Sequence, residues 1–456
     1  MKKILKIVGA SCLAIVMALS LTGCDSTTTT SSSNQLVIWG FVDKDVFSPI
    51  IKDFQSQHKG ITVKYYQKSL DNNYENDALN SILSGQGPDV WAIPNDWVYR
   101  HKDKLAPMPA NLLTDKKIVA KDYFADAVMK DNAFDNQIYG LTPTIDILQV
   151  YFNPALFDNA RSHVNKTLSE SNHDAQQELN KILSNFPITW DEFNKIIPYL
   201  TVKNGSSISV AGAALGTSSN VSYSQDILSL LMLQNQTKMT SDDLSQANFN
   251  LPVKNTAGAD VYPGRNALDF YSGFSNSGSG IYTWNAGMPS DVEAFVKNQA
   301  AIIFGYSNLS TFFHQIYPNF QFQQALMPQV GDINNIVDYA HYTSYVVPTA
   351  SPNTALAWQF VVSLSTDEAS TYRSTTKEIP AKKADSEISL KNRGGATPSQ
   401  NQIKTAVSWN KGRYPLGVDS QLRQAIDRIN SGAQSSQTSL DTAASNITDL
   451  LRKTIW

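Results

Sequence analysis

Read for hydrophobic and polar alternation, the chain beyond residue 35 opens as strand, helix, strand. Leu36–Trp39 is a short apolar run ending at Gly40-Phe41. Asp45 is placed to cap a helix in which Val46, Ile50, Ile51 and Phe54 recur at helical spacing. Gly60 closes that unit, and Ile61, Val63 and Tyr65 then alternate as a second strand. A helix over Glu75–Leu83, the turn signal Gly85-Gln86-Gly87-Pro88-Asp89 and an apolar strand Val90–Ile93 follow. The pattern predicts an open α/β sheet. Ligands of such sheets sit beyond the carboxyl ends of the strands. Trp39, Phe41 and the run Asn95-Asp96-Trp97 therefore become site candidates.

The stretch Ile138–Pro154 has a different character. Val150, Tyr151 and Phe152 form a strand signal that closes at Asn153-Pro154, while Thr142-Pro143-Thr144 interrupts it upstream. Its lone carboxylate, Asp146, either sits at the solvated end of a buried strand or faces a cleft between two lobes. Arg161–Gln177 is rich in Ser, Asn and His and reads as a polar insertion, with His163 and His173 solvated rather than metal-bound. Ile227–Leu233 reads as a buried helix, far too short to span a bilayer. Asn235–Thr256 reads as a polar surface excursion. Val418–Asn430 and Leu440–Leu451 are amphipathic. In the second of these, Leu440, Ala443, Ile447 and Leu451 share one face. Neither carries a cationic face, so both read as packing helices rather than membrane-surface ones.

Composition narrows the classes. At 456 residues the chain can build two or more cores. Its formal charge of −3 and its mixed charge pattern give no footprint for a nucleic acid. Only 17% of residues are charged, a profile suited to neutral polar ligands. Both cysteines, Cys12 and Cys24, lie near the start, which rules out disulfides and cysteine-ligated metals in the rest of the chain. Lys2, Lys3 and Lys6 precede an apolar Ile7–Leu21, the layout of a secretory signal. Leu21-Thr22-Gly23-Cys24 resembles a bacterial lipobox, whose cysteine is acylated and then becomes the first residue. That implies a signal peptide over 1–23 and lipid chains on Cys24 holding the protein to the outer face of the cell membrane. Asp25 resembles an inner-membrane retention signal. Residues 24–34 read as a Ser/Thr tether with nothing to fold around.

Several stretches then align in order with one family. SGQGPDVWAIPNDW, DNQIYGLTPTIDILQVYFNPALFDNA and Pro187-Ile188-Thr189-Trp190-Asp191-Glu192 resemble the extracellular solute-binding proteins of ABC importers, of the maltose-binding type. AGAALG at 211–216, Tyr282–Asn285, Ala294–Tyr306, Ala357–Phe360 and Ile379-Pro380-Ala381 continue the resemblance to the C-terminus. It implies a two-lobe, periplasmic-binding-protein-like α/β fold of type II, with the ligand enclosed between lobes joined at a hinge. The crossings would be Leu141–Gln149, Tyr339–Val346 and Thr375–Ala381. The first lobe would comprise 35–142 and 347–378, and the second 143–346 and 379–456. The resemblance places Asp146 toward the cleft. It further implies a monomer that hands its ligand to membrane permease subunits, with separate chains hydrolysing ATP.

The residues themselves offer little for catalysis. There is no Gly-x-Ser-x-Gly elbow, no His-Glu-x-x-His and no Gly-Lys dipeptide, hence no P-loop. Six scattered histidines show no metal spacing, so no metal or cofactor is expected. Aromatics and small polar residues at strand ends and hinge loops are the chemistry on offer. A sugar packs its C–H faces on rings and needs its desolvated hydroxyls paired. Trp39, Phe41, Trp97, Tyr223, Trp284, Tyr306 and Tyr342 are the ring candidates; Asn95, Asp96, Asp146 and Ser222 are the polar ones. Trp284 has the alternative role of stapling its loop to the lobe. Trp190 and Trp358 read as structural. The expected function is capture of a sugar or oligosaccharide by lobe closure. The alternatives are a lipid-anchored glycan hydrolase, with two carboxylates across a cleft, and a surface adhesin or scaffold without a cleft.

Overall fold

The computed structural model describes residues 34–168, 172–331, 335–376, 378–383 and 400–453. The signal segment, Cys24 and the tether through 33 lie outside them. Strand β1 (Gln35–Gly40), helix α1 (Lys44–Gln57), β2 (Thr62–Gln67), α2 (Tyr74–Leu83) and β3 (Val90–Pro94) follow the periodicity read above. One detail differs. Asp43, not Asp45, caps α1, its carboxylate accepting from the Asp45 N–H at 2.8 Å, so Asp45 becomes a first-turn acid.

Two sheets organise the molecule. In the first, β1 pairs in parallel with both β2 and β3. The chain then adds β4 (Gly140–Leu141) to its far side and forms β5 (Thr144–Ile145) before it leaves for the second sheet. There β6 (Gln149–Phe152) is the centre, flanked antiparallel by β7 (Ile302–Gly305) and β8 (Gln323–Leu326). The chain then forms β9 (Asp338–Tyr339) and returns to the first sheet as β10 (Thr343–Val346), between β3 and β4. This last strand belongs to the first sheet. Its ladder to β3 runs from Thr343↔Pro94 to Val346↔Trp91. A final short strand, β11 (Ile379–Pro380), pairs with β5.

Each sheet has its own apolar core. Phe47, Phe54, Tyr345, Trp358 and Phe360 are buried around the first, and Tyr151, Phe193, Trp284 and Phe304 around the second. The polar stretch 161–177 is largely helical. Its described residues mostly belong to helices Pro154–Thr167 and His173–Asn185. Phe157, Ala160, Val164, Leu179, Ile182 and Leu183 form the buried stripes, and the polar residues are simply the solvent faces. Asn153 caps the first of these, accepting from the N–H groups of Ala155 and Leu156 at 3.0 and 3.3 Å, with Pro154 in its first turn. In 235–256, Phe249 is fully buried and anchors an otherwise polar excursion. The buried helix Ser224–Gln234 and the closing pair Pro415–Asn430 and Ser436–Arg452 all pack into the second core. Among the described residues no helix is long and apolar enough to cross a membrane.

Candidate functional site

The carboxyl ends of β1 and β3 open onto two contiguous cavities of about 340 and 580 Å³ that share Leu70, Pro94, Tyr223, Tyr306 and His341. Phe41, Asp96 and Trp97 supply the wall from the first sheet. Ser222, Tyr223 and Tyr306 face them from the second core, and Asp146, His341, Tyr342 and Glu378 come from the chain passages between the sheets.

Local structure explains how each is held. Tyr306 follows β7 and begins the helix Ser307–Ile316, to which its own side chain gives no cap. Asp146 does that instead, accepting from the Ser307 N–H at 2.9 Å and its hydroxyl at 2.7 Å. The Tyr306 hydroxyl donates to Asp226 at 3.0 Å, and its ring meets Tyr223 edge-on with centroids 5.0 Å apart. Tyr342 donates to the buried carboxylate of Asp131 at 2.8 Å. Ser222 donates through both its N–H and its hydroxyl to Asp291, at 2.8 and 2.7 Å.

The β5–β11 ladder brings two acids to the floor of the larger cavity. Ile145 pairs with Ile379, so their neighbours Asp146 and Glu378 both line it. Burial pushes Asp146 up to about 6, against the pull of its Ser307 hydrogen bonds. Burial and then the charge of Asp146 push Glu378 up to about 8. A second charged cluster closes the smaller cavity. The Lys411 ammonium lies 3.2 Å from Asp96 and 2.7 Å from Asp419, with 2% of its side chain exposed. Burial alone would lower the Lys411 pKa, but Asp419, Tyr339 and Asp96 raise it, so it stays charged.

Three candidates from the sequence do not line the cavities. Trp39 packs in a core with Trp91 and Trp97, and Lys68 sits 3.8 Å above its ring. Asn95 is buried between Asp131, to which it donates at 2.8 Å, and the Tyr342 N–H, from which it accepts at 3.1 Å. Trp284 is fully buried, its indole N–H shared between Thr217 and Asn220 at 3.1 and 3.0 Å. It staples its loop. Conversely, Leu70, Asp226, His341 and Glu378 line the cavities and were not anticipated. Glu378 directly precedes the Ile379-Pro380-Ala381 signal, and His341 lies inside the expected second crossing, so position alone offered a hint.

The family of bacterial extracellular solute-binding proteins matches residues 41–371. The chain belongs to that family. Solved structures agree on the fold. The cyclic α-maltosyl-1,6-maltose binding protein from Arthrobacter globiformis matches at TM-score 0.69 and 18% identity, over 92% of this chain and 99% of that one. An ABC transporter solute-binding protein from Thermotoga lettingae, bound with α-D-tagatose, matches at 0.65 and 19%, over 91% and 99%. UgpB from Mycobacterium tuberculosis, in complex with glycerophosphocholine, matches at 0.66 and 13%, over 91% and 98%. No curated protein matches by sequence. The architecture is therefore the two-lobe, periplasmic-binding-protein-like α/β fold, and the protein is a bacterial extracellular solute-binding protein.

Proposed function

We propose that this solute-binding protein captures a sugar or oligosaccharide and delivers it to a membrane permease without chemically changing it. One observation carries the reading: the cavities between the two sheets are lined by Phe41, Trp97, Tyr223, Tyr306 and Tyr342 beside acceptors such as Asp96 and Asp146. Rings stack on sugar faces, while carboxylates accept from hydroxyls. A neighbour bound with α-D-tagatose and a cyclic α-maltosyl-1,6-maltose binding protein, both on the same fold, support the class. The lobes are taken as 35–142 and 347–378 against 143–346 and 379–456. Ligand bridging both walls favours the closed arrangement through its better affinity for it. Acylation of Cys24 would hold a monomer to the outer face of the membrane, beside the permease that it serves.

Thermal unfolding against mono- and oligosaccharides, polyols, amino acids and peptides tests this. A ligand at a hundredfold excess over its dissociation constant adds about 2.7 kcal/mol of stability. A saturable rise with a saccharide recovered intact is the expected result. A saccharide consumed would establish the hydrolase instead, and no shift with any saccharide would overturn the sugar assignment.

A further inference from the structure

The cleft carries more negative charge than hydroxyl recognition requires. Among the described residues, seven carboxyl groups line its two cavities, against one guanidinium, that of Arg423, and one imidazole, that of His341. Three of the seven are answered from behind the wall: Asp96 and Asp419 by Lys411, and Glu75 by Arg100. Asp71, Asp146, Asp226 and Glu378 form no salt bridge among the described residues, although Lys411 acts on Asp226 and His341 on Asp146 at longer range. Two of these four stand together at the floor, where the chain passages meet.

The surroundings of that pair are specific. One oxygen of Glu378 accepts from the Thr144 hydroxyl, and the other has no hydrogen-bond partner among the described residues. On the cavity side stand Phe41, Tyr223, Tyr306, Tyr342 and His341, while Tyr345 and Tyr372 lie behind Glu378. Among the described residues that line the larger cavity, the only basic side chain is His341. Two carboxylates and several ring faces around one space make the chemistry that receives an organic cation.

We propose that the cleft takes an amine-bearing saccharide, with its ammonium group seated at Asp146 and Glu378 against the aromatic wall. This rests on the saccharide reading above and narrows it. Near neutral pH burial keeps a proton on Glu378. The arriving ammonium stabilises the carboxylate form, so the Glu378 O–H proton leaves to the buffer while the ligand nitrogen keeps its own protons.

The test is isothermal calorimetry at pH 7 with matched pairs: glucosamine against glucose, galactosamine against galactose, and the linked oligomers of each. At least one amine sugar should bind ten-fold or more tightly than its hydroxyl twin. Its heat should vary with the ionisation enthalpy of the buffer, reporting about one proton released. In Glu378→Gln the preference should fall toward unity with the thermal midpoint no lower than the parent's. Because that variant also removes the titrating group, its heats should lose their buffer dependence. A neutral twin bound equally well or better would overturn the inference and leave the saccharide function standing. Binding of no member of any pair would overturn the inference, and the absence of a shift with any saccharide of the thermal panel would overturn the saccharide function as well.

Discussion

A carboxyl group that folding withdraws from water holds its proton more tightly, and Glu378 is such a group. Its pKa rises from the usual value near 4.3 to about 8 in the folded protein. Between those values the native state binds a proton that the unfolded chain has released. Stability from this group is therefore fully present below about pH 4 and is lost as pH rises toward 8. Asp146, raised to about 6, acts in the same direction over a narrower window. Glu378→Gln keeps an oxygen for the Thr144 hydroxyl but cannot ionise. Relative to the parent, the variant should gain stability between pH 5 and pH 8, read from urea unfolding at both values. An unchanged difference between variant and parent across that range would show that Glu378 is already ionised in the native state.

At the scale of the element, the Trp284 loop separates staple from ligand contact. Its indole N–H reaches Thr217 and Asn220, and the Asn220 amide in turn donates to the carbonyls of Asn285 and Met288, both at 3.0 Å. Trp284→Phe keeps most of the apolar packing and removes the donor. It should lower stability by about 1–3 kcal/mol and leave ligand affinity within twofold, because Trp284 does not line the cavities. A large affinity loss at intact stability would return Trp284 to the ligand site. The same contrast shows what could be read from the chain. Periodicity located β1 to β3 and their helices because burial on one face imposes it locally. It also located the rim, since the carboxyl ends of β1 and β3 share one edge. It could not say that Phe41 and Asp96 turn toward the cavity while Asn95 turns to Asp131. Nor could it pair Asp146 with Glu378, which only the long-range β5–β11 ladder brings together. The stretch 161–177 reads from its sequence as a polar insertion because the solvent faces of its helices outnumber their buried stripes.

Across the whole molecule, the segment leading to the last two helices acts as a brace between the cores. Trp409 packs in the second core, its indole N–H on Ser229 at 3.3 Å. Arg413 pairs with Asp103 of the first at 2.6 Å, and Ser408 donates to Asp131. Between these lies Lys411, whose ammonium joins Asp96 at the end of β3 to Asp419 on the helix Pro415–Asn430. Those two carboxylates belong to opposite walls of the smaller cavity. Lys411→Met fills similar volume but leaves both acids buried without their cation, a change that costs about 3–5 kcal/mol for a broken buried pair. The loss should be greatest at pH 8 and smaller at pH 5, where protonation of Asp419, whose carboxyl burial pushes up to about 6, relieves the uncompensated charge. Mutual repulsion across the wall should also favour separation of the lobes. Small-angle scattering of the unliganded variant should then give a larger radius of gyration than the parent, and saturating ligand should narrow the difference. A loss below about 1 kcal/mol with identical scattering would mean that the brace rests on Arg413 and Trp409, and that Lys411 merely fills the space between two walls held by other contacts.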